Sequence, residues 1–355
     1  GAMYYIYFRD IIAELIRRGV RFTYYTMDMN DPGLELPDWG NKDADLSRFN
    51  VRFVGSGNRG HAAISNLKEP YILATTPNIG TPGYPIKKPK HCKNLIHIFH
   101  APRGVSGYKK YALDRYDTVF VQNEPSAAEI RELEVKRGLP EKHLLPGGLP
   151  YFDAMCERAA GLSAAGVKRG VEPRTVLVAS TWNKRGCLQT YGASFIIALS
   201  EAGFDVIVRP HPYSWRYEAE FIAKLKMELS KCGNVVFDDS IDNIASLARA
   251  DVLVSDISGV RLDFFLLFGR PVVSLECDCA VYDDYEQSEL SFNWDVEVSS
   301  KIGVYLKRGE IGSLPDVVKN IGEVKLTRLE DIIMNIGVSK TKIADGIERI
   351  VREGK

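Results

Sequence analysis

The sequence predicts an α/β protein of two Rossmann-like domains whose parallel sheets face a central cleft, the arrangement called GT-B. Three observations carry this expectation. The chain has 355 residues, more than a single hydrophobic core usually organises, so two domains of about 150 to 200 residues each are expected. Short β-rich apolar runs alternate with helical patterns, the signature of βαβ units and parallel sheets. The periodicity breaks at 146–150 and again over 161–173, a stretch rich in Gly, Ala and Lys. The expected division is therefore an N-terminal acceptor-side domain over 1–165 and a C-terminal donor domain over 166–355.

The elements follow in order. Gly1-Ala2-Met3 reads as a cloning remnant, and 4–18 as a helix with Ile11, Ile12, Leu15 and Ile16 on one face. A first strand before Gly1 would then be missing. Strands are expected at 21–26, 51–54, 71–74, 94–99 and 118–121. The clearest helix of this half is 126–137, with Pro125 in its first turn and Gly138 just past its end. In the second half strands are expected at 175–179, 205–208, 234–237, 251–254 and 271–274. Helices at 188–202, 218–231, 244–250 and 260–268 separate them.

Composition excludes several classes. Lys plus Arg (46) equals Asp plus Glu (46), which argues against a nucleic-acid partner and makes any phosphate site local. An apolar fraction of 45% with 17 Tyr and 15 Phe belongs to a folded globular chain. Six cysteines (Cys92, Cys156, Cys187, Cys232, Cys277, Cys279) without a signal peptide favour reduced thiols and a cytoplasmic location. Only Asp278 separates Cys277 from Cys279, a poor zinc spacing, and no metal is expected. No run approaches the ~18 apolar residues that span a bilayer; peripheral contact with the inner face of a membrane stays open.

In open parallel sheets ligands bind beyond the carboxyl ends of the strands, and three such loops stand out. Phe99-His100-Ala101-Pro102-Arg103-Gly104 places an imidazole and a guanidinium after an apolar strand. In Arg209-Pro210-His211-Pro212 two prolines fix the backbone on either side of His211. Ser255-Asp256-Ile257-Ser258-Gly259-Val260 joins a strand to a helix; Ser258 is a plausible N-cap, and such a helix start offers backbone N–H groups to phosphate. Each also has a plain structural reading: a satisfied histidine, a turn and a cap.

Gly55-Ser56-Gly57-Asn58-Arg59-Gly60 fits the dinucleotide fingerprint, but the next strand ends in Thr75-Thr76-Pro77 without the acid that grips a ribose. It reads as a glycine-rich loop facing the cleft, with Gly57 on the acceptor side. Asp43-Ala44-Asp45 follows a loop and reads as solvated surface. Trp182 to Arg185 reads either as a base or phosphate contact or as a surface loop, since the indole can stack and Lys184 or Arg185 can pair with charge.

These residues resemble the CDP-glycerol glycerophosphotransferase family of teichoic-acid and capsule polymerases, which have a GT-B fold. Ser255 to Phe264, followed by Gly269-Arg270-Pro271, is similar to the family's S-D-Y-S-S-V-x-x-D-Y and R-P. Arg209-Pro210-His211-Pro212 matches its R-P-H-P. Ser180-Thr181-Trp182 is similar to P-T-W, and Gly148 to Asp153 to G-Y-P-R-N-D. The likeness runs in one order from about His100 to Pro271. The family's W-H-G-T-P-L-K appears here as Phe99 to Val105, a departure that puts the acceptor in question.

By that resemblance an acceptor hydroxyl of a polymer or glycan, with or without a lipid link, attacks a polyol phosphate held on CDP, and CMP leaves. The resemblance implies His100 as general base, with Arg103 beside it, and His211 and Arg209 steadying the diphosphate. Ser258, Gly259 and Val260 would cradle phosphate, with Thr181, Trp182 and Asp263 as further donor contacts, and no metal or other cofactor. Rival expectations are an inverting GT-B glycosyltransferase using a CMP- or UDP-sugar, an NAD-dependent oxidoreductase built on 55–60, and a silent nucleotide-binding module.

Overall fold

The computed structural model describes residues 2–35, 49–163, 174–184, 186–240, 243–277 and 284–354. Asp43-Ala44-Asp45, Arg185 and the Asp278-Cys279 pair lie outside the described residues.

In chain order the first half holds α1 (Ala2–Arg17), β1 (Phe22–Thr26), β2 (Phe49–Phe53), α2 (Gly57–Ser65), β3 (Tyr71–Ala74), β4 (Asn94–Ile98), β5 (Thr118–Val121), α3 (Glu124–Arg137), β6 (His143–Pro146) and α4 (Pro150–Ser163). The second half begins with β7 (Thr175–Ala179), α5 (Cys187–Tyr191), α6 (Ser194–Glu201), β8 (Asp205–Arg209), α7 (Pro212–Tyr217), α8 (Ala219–Leu229) and β9 (Val235–Phe237). It continues with α9 (Ile244–Arg249), β10 (Val252–Ser255), α10 (Val260–Phe268), β11 (Val272–Leu275), α11 (Trp294–Glu297), β12 (Gly303–Leu306) and α12 (Leu314–Lys319), and the chain closes with α13 (Ser339–Glu353).

Two compact units result. The first comprises Gly1–Met155, Asp284–Ser291 and Ile333–Lys355, the second Cys156–Asp283 and Phe292–Ile332. A single division at 165 therefore gives way to an interleaved one: two segments of the expected C-terminal domain complete the N-terminal core. Ile343, Ala344 and Ile350 of α13 pack with Ile11 and Leu15 of α1, Ile96 and Ile98 of β4, and Phe120 and Leu145. Arg18 ties the helices together by ion pairs of 2.7 Å to both Asp345 and Glu348.

Among the described residues every pair of these strands is parallel. Unit 1 carries β1-β2 and a separate sheet β3-β4-β5-β6; unit 2 carries β12-β11-β10-β7-β8-β9. Strand order in unit 2 reverses at β7, which lies between β10 and β8, so the crevice at the carboxyl ends of β7 and β10 is its topological switch point. Val176, Leu177 and Val178, like Val252, Leu253 and Val254, are all buried, the continuous apolar run of a sheet covered on both faces.

Local chemistry sets most boundaries. The Asn123 side chain accepts the N–H of Ser126 at 2.9 Å to open α3, and Gly138 closes that helix in the left-handed region (φ 60), where glycine has no Cβ to strain. The expected helix over 188–202 is instead two, because Gly192 (φ 63) ends α5. The expected strand pattern misses β6 and β12, whose His143-Leu144-Leu145-Pro146 and Gly303-Val304-Tyr305-Leu306 carry a proline and a glycine.

Candidate functional site

At the carboxyl ends of β3, β4 and β5, unit 1 gathers Thr75, His100, Arg103 and Gln122. The Thr75 hydroxyl lies 3.1 Å from Nδ1 of His100. The imidazole sits beside two tyrosines, with ring centroids 5.5 Å from Tyr7 of α1 and 6.3 Å from Tyr108. Burial, and then the nearby Arg103 charge, hold the His100 pKa below the ordinary histidine value, so the ring is neutral at pH 7 and able to accept a proton. His97, on the strand itself, is a different case: wholly buried, it faces the Tyr108 hydroxyl at 3.4 Å, and burial pushes its pKa down to about 3.

Arg103 follows His100 on the same loop, and Gln122 holds its carbonyl. A side chain at Gly107 would collide with the Arg103 guanidinium, so glycine there makes room for it. The following turn is pinned by buried Glu129, whose Oε2 accepts the N–H of Val105 at 2.6 Å. Gly57 belongs to another element. It opens α2 after β2, in the separate two-stranded sheet. Among the described strands β2 and β3 share no sheet, so 55–60 lacks the βαβ context a dinucleotide needs.

At the switch point of unit 2 the organising residue is Asp256, completely buried. Its Oδ2 accepts from the Ser180 hydroxyl and from the backbone N–H groups of Thr181 and Cys187, each at 2.9 Å. Its backbone carbonyl accepts the Ser258 N–H at 2.8 Å. One carboxylate thus joins the loop carrying Thr181 and Trp182 to the turn carrying Ser258, Gly259 and Val260.

The expected N-cap is corrected here. Gly259 occupies the cap position of α10, and no side chain caps it; the Ser258 carbonyl is instead taken by the backbone N–H and Nε of Arg261. Arg261 is itself buried and donates to Ser274, Ser299 and the Asp295 carbonyl, which places a positive charge beneath the turn. Within the first turn of α10, Oδ1 of Asp263 is shielded from solvent and has no hydrogen-bond partner among the described residues. Burial pushes its carboxyl up to about 7.

His211 caps α7: its Nδ1 accepts the N–H of Tyr213 at 3.1 Å. That bond fixes the neutral tautomer with the proton on Nε2, and burial lowers the pKa. Arg209 departs from the expectation of a direct diphosphate contact. Its side chain is buried and pairs with Asp238, while Nη1 and Nη2 bond the Ser240 hydroxyl at 3.0 Å and the Ser240 carbonyl at 2.7 Å. It braces the turn after β9, one strand from His211.

Sequence reasoning passed over Thr75, Asp256 and Arg261 as functional candidates. Asp256 was visible inside the quoted motif; its role depends on the pairing of β10 with β7, which no local pattern states. Among the described residues no cluster of His, Cys, Asp and Glu could hold a metal ion, and no helix is long and apolar enough to cross a membrane.

Two α/β units of parallel strands, one with its switch point beside the start of α10, define a protein of the GT-B fold class. Solved structures agree at the level of fold. The wall teichoic acid polymerase TagF is 17% identical with TM-score 0.53, covering 98% of this chain and 85% of that one. UDP-GlcNAc 2-epimerase from Methanocaldococcus jannaschii is 12% identical with TM-score 0.58, covering 97% and 96%, and that from Neisseria meningitidis is 12% identical with TM-score 0.57, covering 98% of each chain. No curated protein gives a match. The model of the CDP-Glycerol:Poly(glycerophosphate) glycerophosphotransferase family matches residues 100–297, more than half of the chain. The chain belongs to that family.

Proposed function

We propose that the protein moves a polyol phosphate resembling glycerol phosphate from a CDP-linked donor to a hydroxyl of a cell-surface polymer or glycan, releasing CMP. The observation that carries this reading is Asp256. It draws together the 180–182 and 258–260 segments, two stretches that lie inside the family match.

In this reading unit 2 holds the donor. The backbone N–H groups at Gly259 and Val260, the Ser258 hydroxyl and the buried Arg261 charge favour a phosphate. Nε2–H of His211 donates to a diphosphate oxygen as charge grows on the leaving CMP. Asp263, kept protonated to near neutrality, donates rather than repels, and Thr181 adds a hydroxyl. Arg209 is a positioning residue that braces the neighbouring turn. His100 of unit 1 takes the proton of the acceptor hydroxyl while Arg103 lies alongside; the acceptor oxygen bonds to phosphorus as the bond to the CMP oxygen breaks. No step calls on a metal. The acceptor, with a lipid link and peripheral membrane contact, belongs to the same proposal.

The test is a donor screen. CDP-glycerol, CDP-ribitol, a CMP-sugar and UDP-sugars are each incubated with the protein, and the freed nucleotide is separated by anion exchange. CMP released from a CDP-polyol supports the reading. Nucleotide released only from a sugar donor assigns the glycosyltransferase instead.

A further inference from the structure

Three aromatic side chains of unit 2 gather at the surface. Trp182 follows β7, and Tyr213 and Tyr217 lie four residues apart on α7, which places them on one helix face. Their ring centroids are mutually close: 5.5 Å for Trp182 to Tyr213, 6.4 Å for Trp182 to Tyr217 and 5.7 Å for Tyr213 to Tyr217. The three stay 39%, 45% and 60% exposed, and none joins the core of the unit. Such a cluster keeps in water a large apolar area that packing against the sheet would have removed.

The supports beneath it are rigid. The Thr181 N–H is fixed to Asp256; α7 is fixed by the His211 cap and by buried Ser214. The cluster also adjoins the polar groups of the candidate site. His211 lies 5.3 Å from Tyr213 between ring centroids, and the Arg216 guanidinium sits 5.2 Å over Tyr217. The carboxylate that holds Thr181 belongs to the residue whose carbonyl holds Ser258. Flat aromatic faces next to an anion-attracting turn and a proton-donating imidazole match a planar base joined to phosphate.

The geometry points to Trp182, Tyr213 and Tyr217 as a stacking platform for the pyrimidine base of the nucleotide, with Tyr213 and Tyr217 as binding residues alongside Trp182. This rests on the proposed nucleotide-dependent transfer and adds to it the surface that receives the base. Base–aromatic stacking is worth about 1–3 kcal/mol per base, or roughly 5- to 150-fold in affinity.

The experiment titrates CMP, and separately inorganic pyrophosphate, into the full chain and into Trp182→Ala, Tyr213→Ala, Tyr217→Ala and the two Tyr→Phe variants, by calorimetry. Circular dichroism confirms that each variant is folded. The expected result is a CMP affinity weakened about 10-fold or more in each alanine variant, restored in Tyr213→Phe and Tyr217→Phe, with pyrophosphate binding unchanged throughout. Alanine variants that bind CMP as the parent does overturn the platform while leaving the transferase reading standing. Variants that keep CMP affinity but raise KM for the polymer acceptor reassign the surface to the acceptor and overturn it equally. A parent protein that binds neither CMP nor CDP-glycerol removes the transferase reading and the platform together.

Discussion

The carboxylate of Asp256 accepts the backbone N–H of Thr181 at 2.9 Å, joining the loops of two neighbouring strands through a residue that water does not reach. Removing that carboxylate leaves the Thr181 and Cys187 N–H groups without their acceptor and the Ser180 hydroxyl with only the Thr181 carbonyl. Asp256→Ala is expected to destabilise unit 2 by about 3 kcal/mol, a fall in Tm on the order of 6–12 °C. Scanning calorimetry checks this; an unchanged Tm contradicts the assigned bracing.

His211 has two duties that substitutions can separate. Alanine removes the imidazole and also the cap of α7, which costs about 1 kcal/mol, so a loss of rate in that variant carries a stability loss with it. Asparagine caps well but carries no imidazole. His211→Asn is therefore expected to melt within ~2 °C of the parent and to release CMP at least ~100-fold more slowly. Nucleotide release at the parental rate would exclude the imidazole from transfer.

The acid limb of activity reports on His100. Its pKa is lowered by burial and by the Arg103 charge, so the limb in kcat/KM is expected below the ordinary histidine value of about 6.5. Arg103→Met removes the charge and is expected to move the limb toward higher pH. His100→Ala is expected to reduce turnover ~100- to 10,000-fold. A limb that stays in place in Arg103→Met argues that another group titrates there.

Asp263 gives the fold a pH dependence of opposite sign to that of most carboxylates. Its pKa is raised on folding to about 7, so the native state holds a proton that the unfolded chain has already lost above about pH 4. Stability is then fully present below that value and falls as pH rises toward 7. Asp263→Asn keeps the shape without the charge. Its melting temperature is expected to lose much of this slope between pH 5 and 7.5 and to exceed the parent's at the upper end by a few degrees, about 1–2 kcal/mol. Parallel curves for the two proteins would contradict the raised pKa at a carboxyl whose Oδ1 is shielded and unpartnered among the described residues.

In unit 1 the segment 284–291 is anchored by charge. Arg137 pairs with Glu286, which is 1% exposed in its side chain, and with Asp114 at 2.7 Å and Glu289 at 2.8 Å. Glu286 Oε1 also accepts the Ala112 N–H at 3.0 Å. Arg137→Ala leaves that buried carboxylate unpaired and is expected to cost about 3–5 kcal/mol. Urea unfolding measures it; a shift under ~1 kcal/mol would show that the network is replaceable.

Much of the fold is legible in the sequence because strands such as 175–179 and 118–121 are apolar on both faces and bounded by turn residues. The region after 274 is not read, although α13 carries a helical pattern. That region is interrupted by 3-10 turns, at Glu286–Ser288, Val298–Ser300, Arg308–Ser313, Ile321–Glu323 and Leu329–Asp331, which have neither a strand's nor a helix's period. No local pattern tells which core Ile343 and Ile350 will join.

For the candidate site, the sequence shows which residues stand at strand ends: His100, His211 and the 255–260 turn. What each of them touches depends on register. Thr75 meets His100 because β3 lies beside β4, and Arg209 reaches Asp238 because β8 lies beside β9. Arg209 is therefore legible as a charge near the site but not as a brace.

The last helix has a consequence for synthesis. Because α13 closes the core around Ile11 and Leu15, α1 must wait during synthesis for a helix more than 300 residues downstream. The intervening unit is free to consolidate first. Assembly of the unit that carries His100 therefore waits on α13, and a ribosome stalled before Ser339 would display a finished middle beside an open first unit.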